Sequence, residues 1–166
     1  MKLYAVYLGG TAPGATIEVH DLVFVAAPDI KSAFPLLKEK WFGDKPSAHI
    51  DAWIDLSEID GYHCELGGAR SPAKEFLYCV NVGSYRADAF GEAHDFFFLV
   101  GRGKNEVKAR AKAAVTSNTL VHIDNLIEVD NIVELREVDG LHLRLTVGAP
   151  ATPVKINHVY WPLTPS

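Results

Sequence analysis

Leu3-Tyr4-Ala5-Val6-Tyr7-Leu8 is a run of aliphatic and aromatic residues that stops at Gly9-Gly10, which predicts a strand and its end. Leu22 to Ala26 is continuously apolar, and Phe96 to Val100 repeats the pattern. Apolar residues on both faces predict a buried central strand. From Asp29 the apolar spacing changes to three and four, through Ile30, Ala33, Phe34, Leu37 and Trp41. That spacing predicts a helix with Asp29 as N-cap and Gly43 as stop. Pro35 marks either a kink or a later helix start. From Ile50 the period is two. Ile50, Ala52, Ile54 and Leu56 point one way, and His49, Asp51, Trp53 and Asp55 the other. Asp60-Gly61 reads as a two-residue hairpin turn, after which Tyr62, Cys64 and Leu66 continue inward and His63 and Glu65 outward. The stretch is therefore β-β-α-β-β.

The pattern occurs twice. The 24 residues from Leu3 align without a gap on those from Leu77, and Leu3, Tyr4, Val6, Gly9, Ala15, Glu18, His20, Asp21 and Phe24 recur as Leu77, Tyr78, Val80, Gly83, Ala89, Glu92, His94, Asp95 and Phe98. Chance would give about one or two identities. His49-Ile50-Asp51 matches His122-Ile123-Asp124, and Asp60-Gly61-Tyr62-His63 matches Asp139-Gly140-Leu141-His142. On this alignment the second copy carries six extra residues between the two landmarks, in a loop where length costs little. Its helix is expected over about Asn105 to Val115. The expected fold is α+β, an internal duplication of a β-β-α-β-β unit with the halves related by a pseudo-twofold axis. The expected organisation is a first repeat over 3–66, a linker over 67–75, a second repeat over 76–147 and a tail over 148–166. The tail carries one further strand at Val154 to Trp161. The expected core comprises Tyr4, Val6, Leu22, Phe24, Ile54 and Leu56, with Tyr78, Val80, Phe96, Phe98 and Ile127.

Composition narrows the function. A 48% hydrophobic and 22% charged chain has apolar material enough for a core without metal or disulfide staples. The formal net charge of −5 argues against a general nucleic-acid binder, and the basic residues between Lys104 and Lys112 read as the solvated face of a helix. Cys64 and Cys79 lie in apolar runs without metal-ligand spacing and read as buried thiols. The N-terminal apolar run is too short for a signal peptide or a membrane span, so the expected location is cytoplasmic.

The histidines carry the candidate chemistry. Six of the seven pair between copies: His20 with His94, His49 with His122 and His63 with His142; His158 stands alone. Glu18 and His20 share a strand face, as do Glu92 and His94, His49 and Asp51, and His122 and Asp124. If these pairs converge, each repeat offers two imidazoles and two carboxylates, ligands suited to a divalent metal such as zinc or iron(II), or to a His–carboxylate general base. The blander reading is that each histidine locks a strand end by bonding a carboxylate or carbonyl. His63 and His142 read as a solvated hairpin face. Gly9-Gly10-Thr11-Ala12-Pro13-Gly14 precedes a strand, not a helix, and so reads as a turn and not a phosphate loop. No nucleophile elbow or dinucleotide fingerprint is present.

The opening Leu-Tyr-Ala-Val-Tyr-Leu-Gly-Gly, the Glu-Val-His-Asp before an apolar strand, Trp41-Phe42-Gly43, His49-Ile50-Asp51-Ala52-Trp53 and Phe90-Gly91-Glu92-Ala93-His94 resemble a bacterial family, the domain-of-unknown-function family numbered 1543. The resemblance implies a bacterial, soluble protein and no particular activity. Three readings remain. They are a module binding a small ligand or a protein partner, a metal-dependent or His–carboxylate enzyme with one site per repeat, and a homo-oligomeric interaction protein.

Overall fold

The computed structural model describes residues 1–68, 74–85, 90–118 and 127–164. The chain is α+β. Two strands, β1 (Lys2–Gly10) and β2 (Val19–Ala27), lead into helix α1 (Phe34–Lys40), then β3 (His49–Asp55) and the hairpin β4 (Glu58–Ile59) and β5 (Tyr62–Gly67). The order then recurs as β6 (Phe76–Tyr85), β7 (Glu92–Gly101), α2 (Lys104–Asn118), β8 (Ile127–Leu135), β9 (Glu137–Val138) and β10 (Leu141–Val147), followed by β11 (Asn157–Pro162). Among the described residues no helix is long and apolar enough to cross a membrane.

Two compact units form, and they cut across the sequence repeats. One comprises Met1–Ser71 with Glu137–Ser166; the other is Pro72–Arg136. The first unit holds a sheet in the order β11-β3-β1-β2 and a second in the order β4-β5-β10-β9. The second sheet joins the two hairpins across β5 and β10, with Arg144 opposite Glu65 and Leu145 opposite Cys64. Asp139, in the turn of the β9–β10 hairpin, accepts the Ala26 backbone N–H at 2.8 Å and pairs with Lys40 at 2.7 Å, which ties this hairpin to β2 and α1. The second unit is a three-stranded sheet, β7-β6-β8, with α2 against it.

In the first unit α1 covers one face of β1. Tyr4, Val6 and Leu8 pack with Val25, Ile50, Leu37 and Trp41. The opposite face is buried as well, by Leu3 and Ala5, where β5 runs alongside β1. Pro35 lies in the first turn of α1, so it marks the later start and not a kink. Asp29 lies ahead of the preceding 3-10 turn, Lys31–Ala33, whose N-cap is Ile30; its carboxylate accepts the Ser32 N–H at 3.0 Å and the Ser32 hydroxyl at 2.7 Å. Trp41 is the C-cap, two residues before Gly43. Helix α2 is longer than its apolar pattern suggested and buries Val107, Ala111 and Val115 on Tyr78, Val80 and Val82.

Tyr4, Val6, Leu56, Tyr78, Val80 and Phe98 are buried, but Leu22, Phe24, Ile54 and Phe96 are only half-buried. The side chain of Ile127 lies outside the described residues. Register explains the four. Val23 and Val25 stand opposite Val6 and Tyr4 and face α1, which turns Leu22 and Phe24 to the other side; Phe97 and Leu99 do the same to Phe96. In β3 a bulge breaks the alternation. Ile50 pairs with Leu8 and Ala52 with Tyr7, so Asp51 is the extra residue. The bulge brings Trp53 onto the helix side, where its ring meets Tyr4 edge-on at 5.8 Å, and leaves Ile54 on the face of Ala5.

Candidate functional site

Gly9, the penultimate residue of β1, lies between His20 of β2 and His49 of β3, its partners on either side. The bulge aims Asp51 at the same place, and Glu18, just before β2, reaches it from the third side. The four side chains meet above the glycine. Glu18 Oε1 lies 3.2 Å from the Nε2 of both His20 and His49. Asp51 puts one carboxylate oxygen 3.4 Å from His20 Nε2 and the other 3.3 Å from His49 Nε2. A Cβ on Gly9 would fall 2.6 Å from Asp51 Oδ2, 2.6 Å from His49 Nε2 and 2.8 Å from Glu18 Oε1, so the polar atoms surround the space that glycine leaves open.

Each imidazole is oriented from behind. His49 is 4% exposed, its Nδ1 2.9 Å from the Ser47 carbonyl and its ring tilted against Tyr160. A carbonyl only accepts, so Nδ1 carries the proton. Nε2 then faces the carboxylates of Glu18 and Asp51. The His20 ring stacks flat on Tyr7 at 5.2 Å. Burial, then the charges of Asp51 and Asp21, push the Tyr7 phenol above its usual range, which keeps that platform neutral. Among the described residues Asp51 Oδ2 is buried without a hydrogen bond, an orphaned acceptor in the cluster. Glu18 and His20 remain open to solvent.

The second unit repeats part of this. Gly83 lies between His94 and the β8 backbone, and Asn81 pairs with Asn131 while Val82 pairs with Val129, so Asp130 is the bulged residue. His94 Nδ1 is 3.1 Å from Asp130 Oδ2, and its Nε2 is 3.8 Å from Glu92 Oε2. Glu18, His20 and Asp51, and likewise Glu92, His94 and Asp130, bring their donor atoms within 4.8 Å of one another. Sequence reasoning missed Asp130. The expected residues, His122 and Asp124, lie outside the described residues. The strand registers align Asp51 with Asp130 and His49 with Glu128, so that the second copy carries five extra residues between β7 and β8 (130 − 94 is 36, against 51 − 20, which is 31). The signal that could have found Asp130 is its spacing from Asp139-Gly140, the same nine residues that separate Asp51 from Asp60-Gly61.

The other matched histidines serve the hairpins. His63 pairs with Glu58 and His142 with Glu137 at 3.2 Å, each across its own short hairpin. The Gly9–Gly14 segment closes a turn through the Ala15 N–H to Ala12 carbonyl bond.

The chain belongs to the family described as Domain of Unknown Function (DUF1543), whose pattern matches residues 15–66 and 89–143 in two successive segments. Among solved structures, the chain is similar to the crystal structure of a protein Il1583 from Idiomarina loihiensis. The two are 28% identical, with a TM-score of 0.77 over 99% of each chain. No protein in the curated comparison matches it.

Proposed function

We propose that this chain is a small-ligand-binding module whose ligand is a divalent transition-metal cation, held in the first repeat by Glu18, His20, His49 and Asp51. The supporting observation is the geometry around the two imidazoles. Donors arranged tetrahedrally about 2.0–2.1 Å from a zinc ion stand about 3.3–3.4 Å apart. Glu18 Oε1 stands 3.2 Å from both imidazole nitrogens, and Asp51 offers one oxygen to each imidazole, Oδ2 at 3.4 Å from His20 and Oδ1 at 3.3 Å from His49; Glu18, His20 and Asp51 form the set whose donor atoms all lie within 4.8 Å of one another, with His49 beside it. His49 also has the form of a metal ligand, with one nitrogen braced on a carbonyl and the other facing the site. Two imidazole nitrogens and two carboxylates favour zinc or iron(II) over magnesium or calcium.

The duplication of a β-β-α-β-β unit belongs to the same reading. It is supported by the recurring Gly–His pairing and by a bulged aspartate one strand over in both halves. No reaction is assigned to the site.

The test is zinc titration of the metal-free full chain against a competing chromogenic chelator. One tight equivalent is expected. His49→Gln should weaken it by at least about tenfold, since even residues behind the ligands are worth about 10–100-fold. Unchanged affinity in that variant, or no binding by the wild-type chain, would overturn the proposal.

A further inference from the structure

We infer that Tyr160, on the C-terminal strand β11, is a positioning residue of the first-repeat cation site: its ring keeps the Nε2 of His49 aimed into the site and slows the departure of the cation. The inference rests on the metal reading of that site. β11 lies along the edge of β3, with His158 opposite Ala52 and Trp161 opposite Ile50. Val159 and Tyr160 therefore stand together against Asp51 alone, a bulge set beside the bulge that delivers the aspartate. Val159 packs on the core with Trp161. The alternation of the strand puts Tyr160 on the other face, where its ring centre lies 4.6 Å from that of His49, tilted by 42°.

A single hydrogen bond does not fix an imidazole. The Ser47 carbonyl holds His49 Nδ1 at 2.9 Å, but the ring can still pivot about that bond and swing Nε2 away from Glu18 and Asp51. A second ring packed against it removes that freedom. The same contact covers the histidine. His49 is 4% exposed while Tyr160 is 68% exposed, so the tyrosine shields its neighbour and stays largely in water itself. The cover is fastened to the segment that leads into His49. The Leu163 N–H donates to the Ala48 carbonyl at 2.8 Å, and the Thr164 hydroxyl to the Pro46 carbonyl at 3.0 Å. Groups behind a ligand set its aim, and the apolar shell around a site sets how readily water reaches the metal. An aromatic ring with a polar tip can meet both needs at a wet edge.

The test is zinc release from the full chain to excess chromogenic chelator, followed by stopped flow. Tyr160→Ala should release zinc at least about tenfold faster than wild type, and Tyr160→Phe, which keeps the ring, at close to the wild-type rate. Hydrogen exchange at the Leu163 amide should be alike in all three, as it is when the tail stays docked. Release at the wild-type rate from Tyr160→Ala would overturn the inference. So would release from Tyr160→Phe as fast as from Tyr160→Ala, since the ring would then not be the cause. A Leu163 amide opened by Tyr160→Ala would overturn it too, since the effect would belong to the whole strand. The metal-free chain separates this inference from the reading beneath it. At neutral pH the His49 Nδ1–H should give a sharp NMR signal in wild type and Tyr160→Phe, and none in Tyr160→Ala. That pattern in a chain that takes no zinc would uphold Tyr160 as the residue that positions His49 and overturn the cation site. An equal signal in all three would overturn the inference whether or not zinc binds.

Discussion

Gly9 carries no side chain, and the cluster above it depends on that. Alanine is favoured over glycine within a strand by roughly 0.5–1 kcal/mol, so Gly9→Ala should not harm the sheet itself. Its methyl group would instead enter the space among Asp51, His49 and Glu18 and drive their donor atoms apart. Gly9→Ala should therefore lower zinc affinity by roughly 10–100-fold while the metal-free protein melts close to wild type. Chelator competition and a thermal melt together check this; a Gly9→Ala chain that binds zinc normally would show that the cradle is incidental. Gly9 and Gly83 were visible as an identity between repeats, and so were Glu18 with Glu92 and His20 with His94. That the glycines lie beneath those side chains was not visible, because the contact is made across three strands.

At the scale of elements, the helices and hairpins follow their local signals. Asp60 and Asp139 sit at φ 53° and 52°, each followed by a glycine at positive φ, as a two-residue turn matched to strand twist requires. Helix α1 is short, so its contribution comes from what it buries. Leu37 is fully buried against β1 and β2, and Leu37→Ala should cost about 2–5 kcal/mol by denaturant unfolding. Phe24, half-buried on the sheet face away from α1, should cost less when cut to alanine. A larger loss at Phe24 than at Leu37 would mean that the helix is not the main cover of this sheet. The alternation in β3 was legible only as far as Asp51. A bulge has no sequence signature of its own here, and one extra residue inverts the facing of all that follow it.

At the scale of the molecule, each compact unit holds one buried cysteine, Cys64 in the first and Cys79 in the second. Burial, with the charge of Glu58 added at Cys64, pushes both thiols up to about 12. Neither should react with a disulfide reagent at pH 8 in the native protein, and both should react once the chain unfolds. Prompt native labelling of either would show its unit to be loosely packed. The sign of the pH effect follows from the raised values. The unfolded chain ionises these thiols from about pH 9, whereas the folded chain holds the protons until about pH 12. Stability supplied by the protonated thiols is thus complete below about pH 9. It falls as pH rises through that window, with a limiting slope of about 1.4 kcal/mol per pH unit for each thiol. Urea midpoints of the wild type and of the Cys64→Ser, Cys79→Ser double variant, compared from pH 8 to 11, should separate accordingly. Parallel curves would show that the thiols are not the cause. Asp139 gives a second check. Asp139→Ala leaves the Ala26 N–H without its acceptor, costs about 1–3 kcal/mol, and should speed hydrogen exchange at Ala26. Unchanged exchange there would mean that another group takes over the bond.

The sequence by itself determined the repeated strands, the helices, the Asp-Gly turns, the two buried thiols and the Glu-x-His pair at the start of the second strand of each repeat. All of these are set by interactions within a few residues: side-chain periodicity, the left-handed preference of a turn, the burial of a run. Only the tertiary structure decided which residue completes each cluster. His122-Ile123-Asp124 copies His49-Ile50-Asp51 in letters, yet the register of β8 on β6 gives the equivalent place to Asp130. It also decided that the β9–β10 hairpin joins the sheet of β4 and β5, which no local pattern encodes. The physical reason is common to both. A strand's partners and its bulges are chosen by backbone bonding and packing with residues far away along the chain, and a one-residue change in register moves every side chain to the other face.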